Sequence, residues 1–273
     1  PAQLMAAGYT SAQAMSLYGV AIGMTFPFLS LPSALIGSLA TALVPDISMA
    51  MVQNDTKHIE TRVQSSVLFA MFVSFLIVPI FMAIGDKFGV FIYDNELSGK
   101  LLQYSAWIMI PMGLTNISSA VLNSIGLEVK SFINYLIGGV FMFISILTLT
   151  RFIGINALVI GMGVSSLISA ILNLLMLKRK LKIEINIKKN LLLFILFSIP
   201  TVAITSFLSS LLSYVFPMFF DIVISAFFGV AIFIGLCLVF NVVNFSVYTV
   251  KLKEKFAGKV IISKLKRKKK EKS

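Results

Sequence analysis

Long apolar stretches constrain this chain more than any other feature of its sequence. Seven of them follow one another, and none has an ionisable residue in its central part. A helix needs about 20 predominantly apolar residues to cross the hydrocarbon core of a bilayer. We therefore predict seven transmembrane helices, at 18–44, 63–84, 101–125, 132–150, 155–177, 191–212 and 218–242.

The composition agrees with a membrane protein and excludes two other classes. Hydrophobic residues make up 58% of the chain and charged residues only 12%, which is more apolar surface than a soluble chain of 273 residues can bury. Membrane-spanning β-strands alternate polar and apolar residues, and these stretches do not. The predicted fold class is all-α, a polytopic membrane protein. Cys237 is the single cysteine and His58 the single histidine, so we expect no internal disulfide, no metal site and no other cofactor.

The basic residues predict the topology. Of 23 Lys and Arg residues, 20 lie on the connections after the first, third, fifth and seventh spans, and only Lys87, Lys100 and Arg151 lie on the other side. Cytoplasmic connections carry an excess of Lys and Arg, which predicts a cytoplasmic C-terminus and an extracytoplasmic loop or short helix at 1–17. Nothing in 1–17 would export that segment. We therefore expect further helices upstream, with a mature N-terminus left by processing as the alternative.

Two basic segments mark internal boundaries. The cytoplasmic loop 178–190 holds six basic residues and separates five spans from a final pair within 191–250, and the tail 251–273 holds eleven. Both segments adjoin apolar spans, which favours anionic membrane lipid over nucleic acid as their partner. The tail is predicted to be either a basic amphipathic helix on the inner surface or a disordered segment that sets topology.

Glycine and proline interrupt the first span at Gly23, Pro27 and Pro32. A proline removes one backbone hydrogen bond and can bend a helix. Transporters often place such interruptions beside a substrate path, so these residues are candidates for a hinge. The alternative is a static kink that neighbouring helices stabilise.

The connections that flank the second span are predicted from polar residues. Pro45 and Asp46 are expected to end the first span, and 47–62 is expected to form a short surface helix. An outer loop is predicted at 85–100.

Spans three and five each carry three polar residues on one helix face, because the spacing i, i+3 and i+7 returns to the same side of a helix. The six residues are Asn116, Ser119, Asn123, Ser166, Ser169 and Asn173. They are candidates for the polar wall of a substrate pathway. They also suit hydrogen bonds between closely packed helices, which are an ordinary use of such residues in membranes. We favour this second interpretation. Glycines at 138, 139, 161 and 163 are expected to allow close approach of neighbouring helices.

The acidic residues argue against an enzyme. They are dispersed along the chain, without the paired carboxylates or histidines that metal-dependent or acid–base catalysis needs. No catalytic residue is therefore assigned. Ion-coupled transporters place titratable residues near the membrane midplane, and none of the predicted spans does so.

The sequence resembles a known transporter family in three segments. The segment Leu4–Ala50 contains AAGYT, LYG, GM, two prolines and ATALVPDIS in order, and VLNSIGLEVKSF (121–132) and GINALVIGMGVSSLIS (154–169) extend the similarity. These segments resemble the stage V sporulation protein B family of Gram-positive bacteria. That family belongs to the multidrug/oligosaccharidyl-lipid/polysaccharide exporter superfamily, which also contains the lipid II flippases.

The resemblance implies an architecture of two six-helix lobes followed by a C-terminal helix pair. By this resemblance the chain corresponds to helices eight to fourteen. Residues 18–177 would supply five helices of the second lobe and 191–250 the final pair, and the first lobe would be an absent partner in the same protein.

The resemblance also implies a function, which is to move a polyprenyl-diphosphate-linked saccharide, a lipid II-like precursor of cell wall or spore cortex, across the cytoplasmic membrane by alternating access. Related lipid II flippases line their cavity with arginines, whereas this first span has no cation between Tyr18 and Val44. Lys57, Arg62 and Lys130 at the inner rim are therefore candidates for contact with the headgroup, or are charges that only set topology. The alternatives are a cation-coupled multidrug exporter, for which we expect buried acids that the sequence does not show, and a non-transporting envelope scaffold.

Overall fold

The structure of the protein is a computed structural model that describes residues 1–181, 188–240 and 242. Every regular element in these residues is helical, as the sequence predicts. A π-helical segment, Val20–Thr25, lies between α2 and α3, and a 3₁₀ turn, Ala106–Ile108, lies between α6 and α7. The α-helices are α1 (Ala2–Ala6), α2 (Ser11–Gly19), α3 (Phe26–Leu29), α4 (Leu31–Val52), α5 (Thr56–Tyr93), α6 (Glu96–Ser105), α7 (Met109–Ser124), α8 (Glu128–Ile153), α9 (Asn156–Leu181), α10 (Lys188–Leu212) and α11 (Met218–Val239).

Two predicted basic segments lie wholly or partly outside the described residues. The tail 251–273 does so entirely, and the loop 178–190 does so at 182–187. The described ends of that loop are helical, because α9 continues to Leu181 and α10 begins at Lys188.

The protein is a multi-pass membrane protein. The described residues contain eight helical segments long and apolar enough to cross a membrane, one more than we predicted. The difference arises at the N-terminus, where Ser11–Leu29 and Leu31–Val52 replace the single span predicted at 18–44. One residue, Ser30, joins these two segments with right-handed helical dihedral angles (φ −83°, ψ −10°), so the chain does not reverse direction there. The two segments therefore count as one interrupted passage.

Several predicted boundaries near the second span are wrong. Pro45 and Asp46 do not end a helix, since α4 continues to Val52. The expected surface helix at 47–62 does not exist as a separate element, because its first residues complete α4 and its last residues begin α5. The expected outer loop at 85–100 is also mostly helical, and only Asp94 and Asn95 lie between α5 and α6. Residues 1–17 contain α1 and the first turns of α2.

Short connections explain why consecutive helices pack against each other. Asp94 ends α5 in the left-handed conformation (φ 49°), and the Asn95 side chain caps α6 by accepting a hydrogen bond from the Ser98 amide at 2.9 Å. Gly126 (φ 73°) and Gly154 (φ 56°) occupy the turns that precede and follow α8. A left-handed residue is favourable for glycine because it has no Cβ to clash. Each tight turn reverses the chain, so α7, α8 and α9 become antiparallel neighbours.

Close helix packing explains several glycines. A Cβ on Gly161 would lie 3.2 Å from the Met142 carbonyl oxygen of α8, and one on Gly138 would lie 2.6 Å from the Ser165 carbonyl oxygen of α9. Gly163 likewise contacts the Trp107 ring. The expectation of close approach is therefore confirmed for these three glycines. It is wrong for Gly139, which has no neighbouring atom within 4 Å.

The C-terminal helix pair packs against α5 through phenylalanine side chains. The chain divides into two compact units, Pro1–Ile234 and Gly235–Ser273, and this phenylalanine packing lies in the first. Phe194 of α10 lies between Phe75 of α5, with ring centroids 5.6 Å apart, and Phe233 of α11, with centroids 6.0 Å apart. Phe194 and Phe233 are fully buried. Such aromatic pairs add to the burial of apolar surface and hold the pair on α5.

Candidate functional site

Three of the six predicted polar residues form a buried hydrogen-bond network between α7, α8 and α9. Asn173 of α9 is 1% exposed and donates a hydrogen bond from Nδ2 to Ser119 Oγ of α7 at 2.9 Å. Its side-chain oxygen accepts one from Asn134 Nδ2 of α8, also at 2.9 Å. Ser169 Oγ donates to the Asn134 carbonyl oxygen at 3.4 Å. Asn134 joins the network although the sequence analysis did not single it out.

The other three predicted polar residues are more exposed. Asn116 is exposed, and Ser166 is half-buried. Asn116 Nδ2 donates to the Ser33 carbonyl oxygen of α4 at 3.4 Å, and the Ser166 carbonyl oxygen accepts from Thr115 Oγ1 at 2.8 Å. Asn123 is exposed near the end of α7. The three residues on α7 and the three on α9 therefore do not form a single polar wall. In each set, some side chains pack between helices and others face an open surface.

Asn116 and Ser166 line a pocket between α4, α7, α8 and α9. We call this cavity of about 210 Å³ the polar pocket, and its polar wall consists of Ser33, Thr115, Asn116, Ser165 and Ser166. Phe26, Tyr135 and three methionines complete the lining. No lining residue in the described part of the chain carries a formal charge. Such a pocket can hydrogen-bond a neutral polar ligand and cannot neutralise an anion.

One hydroxyl group in the pocket wall has no partner. Ser33 Oγ is buried and makes no hydrogen bond within the residues that the structure describes. A buried donor without a partner costs about 1–3 kcal/mol. Because this oxygen is shielded from the cavity, the groups of the wall that remain open to a ligand are those of Asn116 and Ser166.

The predicted hinge residues lie at two irregularities of the backbone. Gly23 falls within the π-helical segment Val20–Thr25, and Pro27 follows it directly in α3. Ser30 interrupts the helix between Pro27 and Pro32, and its Oγ donates to the Pro27 carbonyl oxygen at 2.7 Å. Both prolines sit in the first turn of a helix, where a missing amide hydrogen is tolerated. π-Helical segments are rare and occur frequently at functional sites.

The three candidate rim cations differ in their surroundings. Arg62 of α5 is paired with Asp46 of α4, with Nε 2.6 Å from Oδ2. Arg62 Nε also lies 3.3 Å from His58 Nε2, so His58 belongs to the same cluster. Lys57 and Lys130 are exposed. Lys57 and Lys130 are thus available to an anionic ligand, whereas Arg62 already has a carboxylate partner.

A buried ion pair lies at the opposite end of the helices, and the sequence analysis missed it. Lys87 Nζ of α5 lies 2.6 Å from Asp221 Oδ2 of α11 and donates to Ser209 Oγ of α10 at 2.7 Å. Ser225 Oγ donates to the second carboxylate oxygen at 3.0 Å. The Asp221 side chain is 2% exposed and that of Lys87 25%. Asp221 is thus a buried acid, but it lies in the first turn of α11 in the C-terminal pair and not in the predicted second-lobe helices at 18–177.

A signal for this pair was present in the sequence. Asp221 lies inside the predicted span 218–242, and Lys87 lies three residues beyond the predicted end of span 63–84. The predicted topology places both residues on the same side of the membrane. An acid inside an apolar span calls for a nearby cation, since an unpaired buried charge is strongly unfavourable.

Comparison with known proteins supports the resemblance. The chain matches no protein-family model. It is 25% identical over 209 residues to stage V sporulation protein B of Bacillus subtilis (strain 168), and the match covers 76% of this chain and 39% of that protein. The chain thus spans about two fifths of the relative's length. The chain is therefore distantly similar to stage V sporulation protein B.

Proposed function

We propose that the protein moves a polyprenyl-diphosphate-linked saccharide, a precursor of cell wall or spore cortex, across the cytoplasmic membrane by alternating access. The observation that carries this proposal is the 25% identity to stage V sporulation protein B over 76% of the chain. The membrane-spanning helices and the uncharged polar pocket support it. A diphosphate-sugar headgroup cannot cross hydrocarbon unaided, because a charged group at the bilayer centre is costly.

The proposal includes partners and an orientation. The relative is longer than this chain, and a second lobe would complete a passage between two halves. The C-terminus would face the cytoplasm, where the basic segment 251–273 would contact anionic lipid. Lys57 and Lys130 would meet the diphosphate at the inner rim. The activity is transport and not catalysis, with no cofactor or metal and no nucleic acid partner.

A cation-coupled multidrug exporter is the second candidate, and one observation favours it. Asp221 is a buried acid within a membrane-spanning helix, although it lies in the first turn of that helix and not near its middle. However, Lys87 Nζ lies 2.6 Å from this carboxylate, so an internal cation already neutralises it. A scaffold that recruits partners through its basic tail is the third candidate. Removal of 251–273 should abolish the function of a scaffold and only reduce that of a flippase.

Reconstitution tests the proposal directly. The intact protein is placed in vesicles with a fluorescent polyprenyl-diphosphate disaccharide, and a membrane-impermeant quencher measures the fraction in the outer leaflet. We expect complete quenching with the protein and about half quenching in vesicles that carry an unrelated membrane protein. The proposal is wrong if both preparations retain the same protected fraction and the protein instead expels a lipophilic cation.

A further inference from the structure

We propose that the polar pocket holds one neutral sugar ring of the headgroup, while the diphosphate is bound elsewhere. This inference rests on the proposed function and names the part of the substrate that these helices recognise. It divides the headgroup into a neutral part that the pocket binds and an anionic part that it does not.

The polar atoms of the pocket match a polyol. Asn116 is exposed, and its side-chain oxygen accepts no hydrogen bond from the residues that the structure describes. That oxygen can accept from a sugar hydroxyl, and the Ser166 hydroxyl adds a group that both donates and accepts. A sugar ring presents several hydroxyls of the same dual character. A pocket with unused amide and hydroxyl groups satisfies such a ligand without any charge.

The apolar part of the lining matches the carbon faces of a sugar. Tyr135 of α8 is 61% exposed, and its ring lies in the wall together with Phe26. Aromatic rings offer flat apolar surfaces, and Tyr adds a hydroxyl group at the edge. Ligand sites commonly combine such apolar walls with a few placed polar groups.

Charge and size exclude the other parts of the substrate. No Lys or Arg lines the described wall, so a diphosphate would lose its hydration without gaining a counter-charge. The cavity of about 210 Å³ is smaller than the roughly 300–1,000 Å³ of pockets for drug-sized ligands. The absence of an acid from the described wall also disfavours a lipophilic cation. One neutral ring remains the best match.

The test compares two lipids on the intact protein in lipid nanodiscs. The probes are polyprenyl diphosphate and the same lipid with one N-acetylhexosamine attached. We expect the wild type to bind the sugar-bearing lipid more tightly. Asn116→Ala and Tyr135→Ala should each lower its affinity about tenfold, since a buried hydrogen bond or ring contact is lost. Affinity for the bare diphosphate should stay within about twofold.

Two further variants and one labelling experiment make the result specific. Tyr104→Ala removes an exposed tyrosine of α6 outside the pocket and should change neither affinity. Asn123→Ala should also be neutral, because it lies on the same face of α7 but outside the pocket. Asn116→Cys should be protected from a thiol reagent by the sugar-bearing lipid and not by the bare diphosphate.

Each other outcome overturns the inference. If the wild type prefers the sugar-bearing lipid and all pocket variants keep that preference, the sugar binds elsewhere and the proposed function stands. Equal loss for both lipids would place the diphosphate in the pocket as well. If the wild type neither binds nor moves the sugar-bearing lipid, the proposed function and the pocket assignment fail together.

Discussion

Two adjacent glycines show that the space available for a side chain can differ completely between neighbouring positions of one helix. Gly138 and Gly139 have the same side chain and lie in the same helix, α8. A Cβ on Gly138 would overlap Ser165 and Ser169 of α9, whereas Gly139 has open space within 4 Å. Gly138 thus allows the contact that brings Asn134 to Asn173, with Nδ2 2.9 Å from Oδ1.

We predict that Gly138→Ala lowers the stability of the protein by about 1–3 kcal/mol, because an added methyl group must displace the α9 backbone. Gly139→Ala should leave stability unchanged or raise it by up to about 1 kcal/mol, because alanine is the better helix former and meets no neighbour. Thermal unfolding in detergent, followed by helical circular dichroism, measures both. Equal melting temperatures for the two variants would contradict the packing of α8 on α9 described above.

Among the helices, α5 and α11 are joined by an ion pair that is more buried than the others in the described part of the chain. Lys87 and Asp221 are 134 residues apart, yet their charged atoms meet at 2.6 Å. We predict that Lys87→Met destabilises the protein by about 3–5 kcal/mol, since it leaves a buried carboxylate unpaired. Resistance to unfolding by detergent or heat measures the loss.

The chain offers a matched control for this prediction. Lys100 pairs with Glu96 at 3.3 Å, but the two side chains are 58% and 80% exposed. Lys100→Met should therefore have little effect, because exposed ion pairs contribute little. Lys87→Met combined with Asp221→Leu should recover part of the stability. If Lys87→Met and Lys100→Met behave alike, the buried pair does not hold α11 on α5.

The interruption between α3 and α4 leads to a prediction about transport. Pro32→Ala restores an amide hydrogen in the first turn of α4, where none is needed, so we expect an unchanged melting temperature. If the interruption is a hinge, the same variant should slow flipping severalfold, because a more regular helix bends less easily. Pro200→Ala in α10 is the comparison variant and should leave the rate unchanged. A lower melting temperature with a normal rate would identify a static kink.

The sequence predicted elements better than it predicted their ends or their contacts. The spans near 191–212 and 218–242 appear as α10 and α11 almost as predicted, because apolar length alone defines them. The ends of α5 were missed because Thr56–Arg62 is polar and Gly85–Tyr93 begins with a glycine and two charged residues, yet both segments are helical. The polar pocket was only half predicted. Asn116 and Ser166 follow helical spacing, but Ser33 and Tyr135 come from helices whose approach no spacing reveals.

The whole molecule has two ends that differ in charge, and this difference predicts its orientation. The ends of α4 and α7 lie together, as the hydrogen bond from Ser48 Oγ to the Ser124 carbonyl oxygen at 2.8 Å shows. The short connections to α5 and α8 place the starts of those helices at the same end. That end carries Lys57 and Lys130. We predict that thiol reagents reach Lys57→Cys and Lys130→Cys only from the cytoplasmic side, and Glu96→Cys and Arg151→Cys only from outside.

Labelling of intact cells with an impermeant maleimide, before and after permeabilisation, measures this orientation. The experiment uses the intact protein with its native cysteines replaced, and wild-type transport serves as the control for folding. The reverse pattern would invert the molecule and move the candidate rim cations to the outer face. Labelling of all four positions from one side would contradict the membrane crossings of α5 and α8, which separate these positions.

Helix α5 is longer than the membrane is thick, and this length has a mechanical consequence. Its 38 residues extend about 57 Å, nearly twice the hydrocarbon thickness of about 30 Å. Arg62 fastens one end to α4 through Asp46, and Lys87 fastens the other to α11 through Asp221. Pro79 is the proline within the helix between these two ion pairs. Because both ends are paired with neighbouring helices, α5 can tilt away from α4 or α11 only if the corresponding ion pair lengthens or breaks.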